Sequence, residues 1–419
     1  MIWVFMINLS GIPCAPLKLQ ADMLKIGLIR EGKIPADNRV ALTPAQCRWM
    51  LKNVDCSITV QPSPARSYTD KEFVRAGVEM SEDLASCDLL LGIKEVPADM
   101  LIPGKTYMFF SHTIKMQAHN KKLMQAMVKK SITLIDYECL RHKDGQRIIG
   151  FGFFAGVVGA HNGMMAYGER TKTFSLSRVY KQKDYSKLIH TYFGLKIPPV
   201  KVAVTGSGRV AHGILEIMNL MDIQEVEPDE YMEKEFEYPV YVHLKGGDLY
   251  RHKTTHSYNR DHFHAHPEEY DCLFENYCTH TDILMNGIYW DKDIPRLFSM
   301  ETVASKGFRI QTIADITDDE HGSVPCNLGD AVMEDPVYGV DKITGNKTAP
   351  YIPGSVDIMA VGNLPNELPR DASRYFGEQL IKFVLGDIIN GGSRIIHDAT
   401  ILDKGRLTEN YMYLQEYAK

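Results

Sequence analysis

The sequence predicts an α/β protein of two doubly wound, parallel-sheet domains separated by a cleft, and three observations carry that prediction. From residue 23 to about 152, short continuous apolar runs alternate with amphipathic stretches, the pattern of strands buried on both faces between helices. A second set of such runs starts at Val200, after a polar connector closed by Pro198-Pro199. The first run of that set leads into a glycine turn and then a helix, the local pattern of a Rossmann-like unit.

Leu24 to Ile29 is the first strand, and Pro44 to Lys52 the first amphipathic helix. Leu89 to Ile93 and Tyr107 to Phe110 read as buried strands, followed by a helix over Gln117 to Lys130. Residues 153–170 set Ala155, Gly156, Gly159, Ala160 and Gly163 along one side of a helix, which suits close helix packing. His161, Asn162 and Glu169 argue against a membrane reading of those glycines. The second sheet runs from Val200–Val204 through Asp282–Met285 and Ile310–Ile313 to Ile358–Val361. From Pro365 onward the chain is expected to be largely helical and to fray over Tyr411–Lys419. The domains so defined are 23–152 with 366–419 returning onto it, and 153–365 with a polar insertion at 231–280. Residues 1–22 stand apart: Ile2–Leu9 is apolar, but no basic region precedes it, so a secretory signal fits poorly. Met23 is the cleaner beginning, and 1–22 read as a loose tail or a start assigned too early.

Composition excludes several classes. A chain of 419 residues is long enough for two domains with a large core. A net charge of −6 argues against nucleic acid as the partner, since phosphate binding wants a basic face. Eight cysteines without a CxxC pair read as reduced thiols of a cytoplasmic protein rather than a disulfide framework. No apolar run reaches the roughly 20 residues that span a bilayer, so no membrane partner is expected. No feature of the sequence sets an oligomeric state.

Two of the apolar runs end at residues that move protons: Gly92-Ile93 leads into Lys94-Glu95, and Phe109-Phe110 into Ser111-His112-Thr113. Ligands of open α/β sheets sit just past the carboxyl ends of strands, so Lys94 and His112 are expected side by side as an acid–base pair. The plainer alternatives are a surface Lys-Glu pair and a core imidazole satisfied by its hydroxyl neighbours. Val202 to Ala211 fits the dinucleotide fingerprint in its GxGxxA form. Gly206 permits the turn, Gly208 lets backbone approach a pyrophosphate, and Ala211 lets helix and strand close up. The competing reading is a structural glycine turn. Glu227 is the acidic residue about 20 positions on that would hold a ribose hydroxyl and favour NAD over NADP. A solvated acidic turn explains it as well, and Arg209 and Lys234 leave NADP open. Seven histidines from His243 to His280, with Cys272 and Cys278, crowd one segment, but their spacing fits no zinc pattern, so no metal is expected.

Taken together, these motifs resemble a known family. Arg39-Val40-Ala41-Leu42-Thr43-Pro44, Gly92-Ile93-Lys94-Glu95, Phe109 to Lys115, Leu134 to Glu138 and Gly150 to Gly156 follow the order of the lysine-forming saccharopine dehydrogenases. So do the Gly206 turn, Asn286-Gly287-Ile288-Tyr289-Trp290 and Asp315–Asp319. The likeness extends over residues 24 to 419 and is strongest to the lysine–2-oxoglutarate reductase half of α-aminoadipic semialdehyde synthase. A wider superfamily includes alanine dehydrogenase. The resemblance implies Lys94 as general base and His112 as general acid–base, with Glu95 and Glu138 near Lys94. It implies Arg39 and Arg147 on substrate carboxylates, and Gly206, Ser207, Gly208, Arg209, Val210, Ala211, Glu227, Asn286, Gly287, Ile288 and Asp315 at the cofactor. Its substrates would be saccharopine, L-lysine and 2-oxoglutarate. The family usually has Asp where this chain has Gly362, as alanine dehydrogenases have a small residue, so an alanine dehydrogenase-like enzyme is the alternative. A non-catalytic NAD-binding module is the third reading. A lysine serves as base only if burial or a cationic neighbour lowers its pKa, whereas Glu95 and Glu138 would pull the other way.

Overall fold

The computed structural model describes residues 23–143 and 145–419, so the reading of residues 1–22 lies outside the described residues. The chain divides into two compact units, the first formed by the residues up to Gly150 together with Ser373–Lys419, the second by Phe151–Ala372.

The first unit is built on an eight-stranded sheet. Six strands run parallel in the order Glu79–Met80, Cys56–Val60, Leu24–Leu28, Leu89–Leu91, Thr106–Phe109, Thr133–Asp136. Strand order reverses between Leu24–Leu28 and Leu89–Leu91, which makes the carboxyl ends there a topological switch point. The strands are apolar throughout because helices cover both faces of such a sheet: Leu90, Tyr107, Met108 and Phe109 have no exposed surface. Pairing continues past the regular strands, with the N–H of Gly92 donating to Met108 O and that of Phe110 to Ile93 O. The helix Pro44–Asn53 starts where the sequence places it, because Thr43 caps it: Gln46 N–H donates to Thr43 Oγ1, and Thr43 N–H to Gln46 Oε1.

The second unit also carries eight strands. Gln224–Glu225, Val240–Leu244, Lys201–Thr205, Ile283–Asn286, Thr312–Asp315 and Ser355–Met359 are parallel in that spatial order, and Val337–Asp341 and Lys347–Thr348 add antiparallel at one edge. The helix Gly152–Thr171 packs against the helix Arg209–Leu220 through glycines. A Cβ at Gly156 would lie 2.0 Å from the Val210 carbonyl oxygen, and one at Gly213 2.0 Å from that of Phe153. The small-residue stripe is therefore a close contact with the helix Arg209–Leu220, and no helix among the described residues is long and apolar enough to cross a membrane.

Three expectations change. The chain after Pro365 is not only helical: Thr400–Asp403 pairs antiparallel with Thr133–Asp136 and carries Arg406–Leu407 beside it. Residues 411–419 do not fray but form helical turns, because Leu414 and Tyr417 are buried and Tyr417 Oη donates to Gln117 O. Finally, Val240–Leu244 is an interior strand, so the segment read as a polar insertion at 231–280 contributes to the sheet. Beyond that strand the segment forms a hairpin of Tyr250–His252 and Tyr270–Cys272 with the helix Arg260–Ala265.

Gly156→Ala should destabilise the second unit by about 1–3 kcal/mol, the usual cost of overpacking a fitted contact, as read by urea denaturation. A loss under about 0.5 kcal/mol, the range of neutral surface changes, would contradict the helix contact.

Candidate active site

In the first unit, the ends of the neighbouring strands Leu89–Leu91 and Thr106–Phe109 carry Lys94, Glu95 and His112. Glu95 Oε1 lies 2.6 Å from His112 Nδ1, and Lys33 Nζ donates to Glu95 Oε2 at 3.0 Å. Burial pushes the Glu95 carboxyl up, but His112 and Lys33 outweigh it and hold it down at about 2. His112 sits at φ 52° and stacks on Phe110, the ring centroids 6.2 Å apart. The chain therefore leaves the strand in a left-handed turn that aims the imidazole back at Glu95.

Lys94 is half-buried, and among the described residues no ion pair or hydrogen bond engages its Nζ. Burial lowers its pKa from the ordinary 10.5 to about 8, helped by the charges of Arg39 and Lys33 and opposed by Glu95 and Asp37. Glu95 thus acts on Lys94 through its field, while its oxygens are held by His112 and Lys33. Arg39 is buried, and its Nε and Nη2 both donate to Asp37, whose carboxyl stays at about 2 because the Arg39 charge outweighs burial. Two of the three Arg39 guanidinium nitrogens are accordingly engaged by its own chain. Arg147 bridges antiparallel to Arg141 and donates to Glu138 Oε1. Glu138 Oε2 is buried with no hydrogen-bond partner among the described residues. Asp136, fully buried and pushed up by that burial, accepts from Ser111 N–H, Ser111 Oγ and Glu138 N–H, tying the His112 turn to the Glu138 turn.

Sequence reasoning missed Glu31, three residues past the first strand, which accepts from the N–H groups of Ile93 (2.7 Å) and Lys94 (2.9 Å). Burial and Asp37 push its carboxyl up to about 8 against those two amides. The signal was available, because Glu31 also ends a strand at the switch point.

In the second unit Gly206 has φ 107°, and a Cβ there would lie 2.5 Å from Gly287 O. Only glycine fits both demands. Gly208 caps the helix Arg209–Leu220, and nothing approaches within 4 Å of where its Cβ would be. Ser207 and Gly208 are exposed, Arg209 and Val210 half-buried and Ala211 buried, leaving an open helix amino end suited to a phosphate. Other members of the predicted cofactor set have different surroundings. Asn286 and Asp315 have no exposed surface: Thr205 Oγ1 donates to Asn286 Oδ1, and Asn286 Nδ2 donates to Asp315, Thr317 and Ser323. They brace the strand ends from beneath. Gly287 and Ile288 continue the same turn, close under Gly206 and Val210.

Glu227 comes just after the edge strand Gln224–Glu225, which Val240–Leu244 separates from the Gly206 strand. The neighbour of the glycine turn is instead His243, whose Nε2 lies 2.7 Å from Gly206 O. Glu227 is exposed two strands away, roughly 10 Å at the usual strand spacing. A counted interval of about 20 residues does not by itself set an acidic residue beside the glycine turn when the second strand is displaced to the edge.

Gly362 lies where a Cβ would come within 2.9 Å of Asp330 Oδ2 and 3.1 Å of Asp318 Oδ2. Two carboxyl groups from a neighbouring loop fill the room a side chain would need, and burial and Asp330 push Asp318 up. The histidine-rich segment brings His252, His262 and Glu269 together, despite their spacing. His252 Nδ1 accepts from Thr254 N–H and Thr255 N–H, so its Nε2 carries the proton and donates to Glu269 at 3.0 Å. A metal-bound histidine needs the reverse, its other N–H donating to an acceptor. The cluster is a hydrogen-bonded brace of the hairpin.

Residues 27–158 match the family "Alanine dehydrogenase/PNT, N-terminal domain". The chain is 31% identical over 452 residues to alpha-aminoadipic semialdehyde synthase, mitochondrial, of Rattus norvegicus, covering 93% of this chain and 47% of that protein. It is 25% identical over 384 residues to saccharopine dehydrogenase (NAD(+), L-lysine-forming) of Emericella nidulans, covering 86% and 91%. The chain thus spans about half the length of the semialdehyde synthases it matches. Among solved structures, an L-alanine dehydrogenase shares the fold with a TM-score of 0.62 at 15% identity, over 94% of this chain and 99% of that one. A transhydrogenase from Sinorhizobium meliloti shares it with a TM-score of 0.58 at 15% identity, over 92% and 100%.

The Glu95 carboxyl, held at about 2 against the ordinary 4.5, favours the folded state above about pH 4.5 and loses that contribution as pH falls toward 2. Thermal denaturation from about pH 6 to 3 should therefore show a steeper loss for the wild type than for Glu95→Gln. Equal slopes would contradict the pairing.

Proposed function

From its homology to the α-aminoadipic semialdehyde synthases and lysine-forming saccharopine dehydrogenases, within the alanine dehydrogenase superfamily, we propose that this chain is a nicotinamide-dependent oxidoreductase of lysine metabolism. Its reaction interconverts saccharopine with L-lysine and 2-oxoglutarate. The observation that carries the reading is the Lys94 amine, its pKa brought near neutrality beside the Glu95–His112 pair.

The Gly206 turn fits a dinucleotide, because the open helix end offers N–H donors and the glycine backbone permits close approach. Gly206, Ser207, Gly208, Arg209, Val210 and Ala211 would hold its pyrophosphate. When bound, the nicotinamide accepts or returns the hydride of the substrate's glutarate α-carbon. NAD is the cofactor named for the fungal relative, and we adopt it here, with NADP to be ranked beside it.

Lys94, half-neutral at about pH 8, removes the proton of the substrate's secondary amine. His112, steadied by Glu95, gives and takes the proton as water adds to the imine and lysine departs. Arg147 meets a substrate carboxylate, and the unpartnered Glu138 Oε2 accepts from a substrate ammonium. Arg39, fixed by Asp37, adds positive charge that draws carboxylates and keeps Lys94 from holding its proton. The seven described cysteines are all free, which suits a reducing compartment, and we propose the cytoplasm.

Purified protein should oxidise NADH or NADPH only when lysine and 2-oxoglutarate are both present. Turnover with pyruvate and ammonia instead would replace this reading by an alanine dehydrogenase-like one. Lys94→Met and His112→Gln should each lower turnover by about 100-fold or more, at the lower end of acid–base contributions, while cofactor affinity stays within about 2-fold, since neither touches the glycine turn. Saccharopine oxidation should rise as pH rises through about 8 in the wild type, and this limb should vanish in Lys94→Met.

A further inference from the structure

We propose that Glu31 is a positioning residue for Lys94, its carboxyl clamping the peptide from which the amine extends. The inference rests on Lys94 acting as the base and names a residue that neither the sequence motifs nor the relatives' names assign. Glu31 Oε1 accepts from Ile93 N–H at 2.7 Å and Oε2 from Lys94 N–H at 2.9 Å, so one side chain takes two successive amides. Those amides lie just past the strand pairing, which ends where Phe110 N–H donates to Ile93 O. Without Glu31 the backbone that carries Lys94 has no partner for these donors, and a half-buried N–H without one is costly.

The fit is built from both strands. Gly92 presents no side chain to the space beside Ile29 and Glu31; a Cβ there would lie 2.7 Å from Ile29 Cδ1 and 3.6 Å from Glu31 Oε1. Glu31 itself comes after Leu24–Leu28, whose neighbour is the strand Leu89–Leu91 that leads to Lys94. The groups that act on Glu31 are Asp37, Arg39 and the Lys94 peptide, and Tyr137 feels its charge in turn. The clamp thus joins the first strand's end to the second, and Lys94 leaves the sheet from a fixed peptide rather than a free loop.

The test is steady-state kinetics of Glu31→Ala and Glu31→Gln with lysine, 2-oxoglutarate and reduced cofactor, plus the pH profile of saccharopine oxidation. Glu31→Ala should lower kcat by about 10- to 100-fold, the scale of a misplaced catalytic group. Its lysine limb should move upward in pH as the amine regains water, with cofactor affinity unchanged. Glu31→Gln keeps the volume and one acceptor but faces the second amide with a donor, so its loss should be smaller and in the same direction. A wild-type kcat in either variant, or a fall in kcat with the limb unmoved, would overturn the proposal. Lys94→Met run in parallel separates the two claims: if it turns over like the wild type, the role of Lys94 fails. If Lys94→Met is dead and the Glu31 variants are normal, only the clamp fails.

Discussion

Desolvation of Lys94 beside a second cation is the constraint on which the rest of the first unit's site depends. An ordinary lysine holds its proton at neutral pH and cannot serve as base. Burial alone lowers the pKa, and Arg39 and Lys33 lower it further. Arg39 is buried and has to be neutralised nearby, because a buried unpaired charge is expensive. Asp37 pairs with Arg39, and Glu95 with Lys33 and His112. Both anions are thereby held by other partners, so neither locks Lys94 in an ion pair of its own. The sheet makes this possible by ending three neighbouring strands at one place, each contributing a short polar turn.

The second unit solves a different problem with a related parallel sheet, whose second strand lies at the edge. Its strand ends bring backbone, not side chains, to the surface: Gly206 against Gly287, and Gly208 at an open helix end. The polar residues around them, Asn286, Asp315, Thr205 and Asn327, point inward and satisfy each other. A turn that must approach a ligand closely needs glycine, and a glycine turn needs such bracing to hold its shape. Gly362 extends the pattern, since its missing side chain gives room to Asp318 and Asp330.

The sequence made the interior strands legible because they are short, wholly apolar and end abruptly. Leu89–Leu91 and Thr106–Phe109, with Lys94 and His112 beyond them, emerge from that pattern. The glycine turn was legible for its three positional demands. Edge elements were not. Gln224–Glu225 is two exposed residues, and its place at the edge sets Glu227 two strands from the glycine turn. Thr400–Asp403 is a four-residue run beside Lys404-Gly405, too short to be told from a helix end without its partner Thr133–Asp136. Contacts between distant residues were likewise hidden. Nothing in the sequence near Arg39 says that Asp37 engages its guanidinium, and nothing near His252 says that Thr254 and Thr255 fix its tautomer.

The central claim is that the fold, before any substrate arrives, holds the Lys94 amine partly neutral near physiological pH. Direct titration of that amine tests it, by NMR of protein carrying isotope-labelled lysine, with Lys94→Met used to assign the signal. An inflection near pH 8, well below the ordinary lysine value of 10.5, is the result the structure predicts. A Lys94 signal that titrates with the exposed lysines would mean that the amine is solvated and charged, and the proposed base would have to be another group.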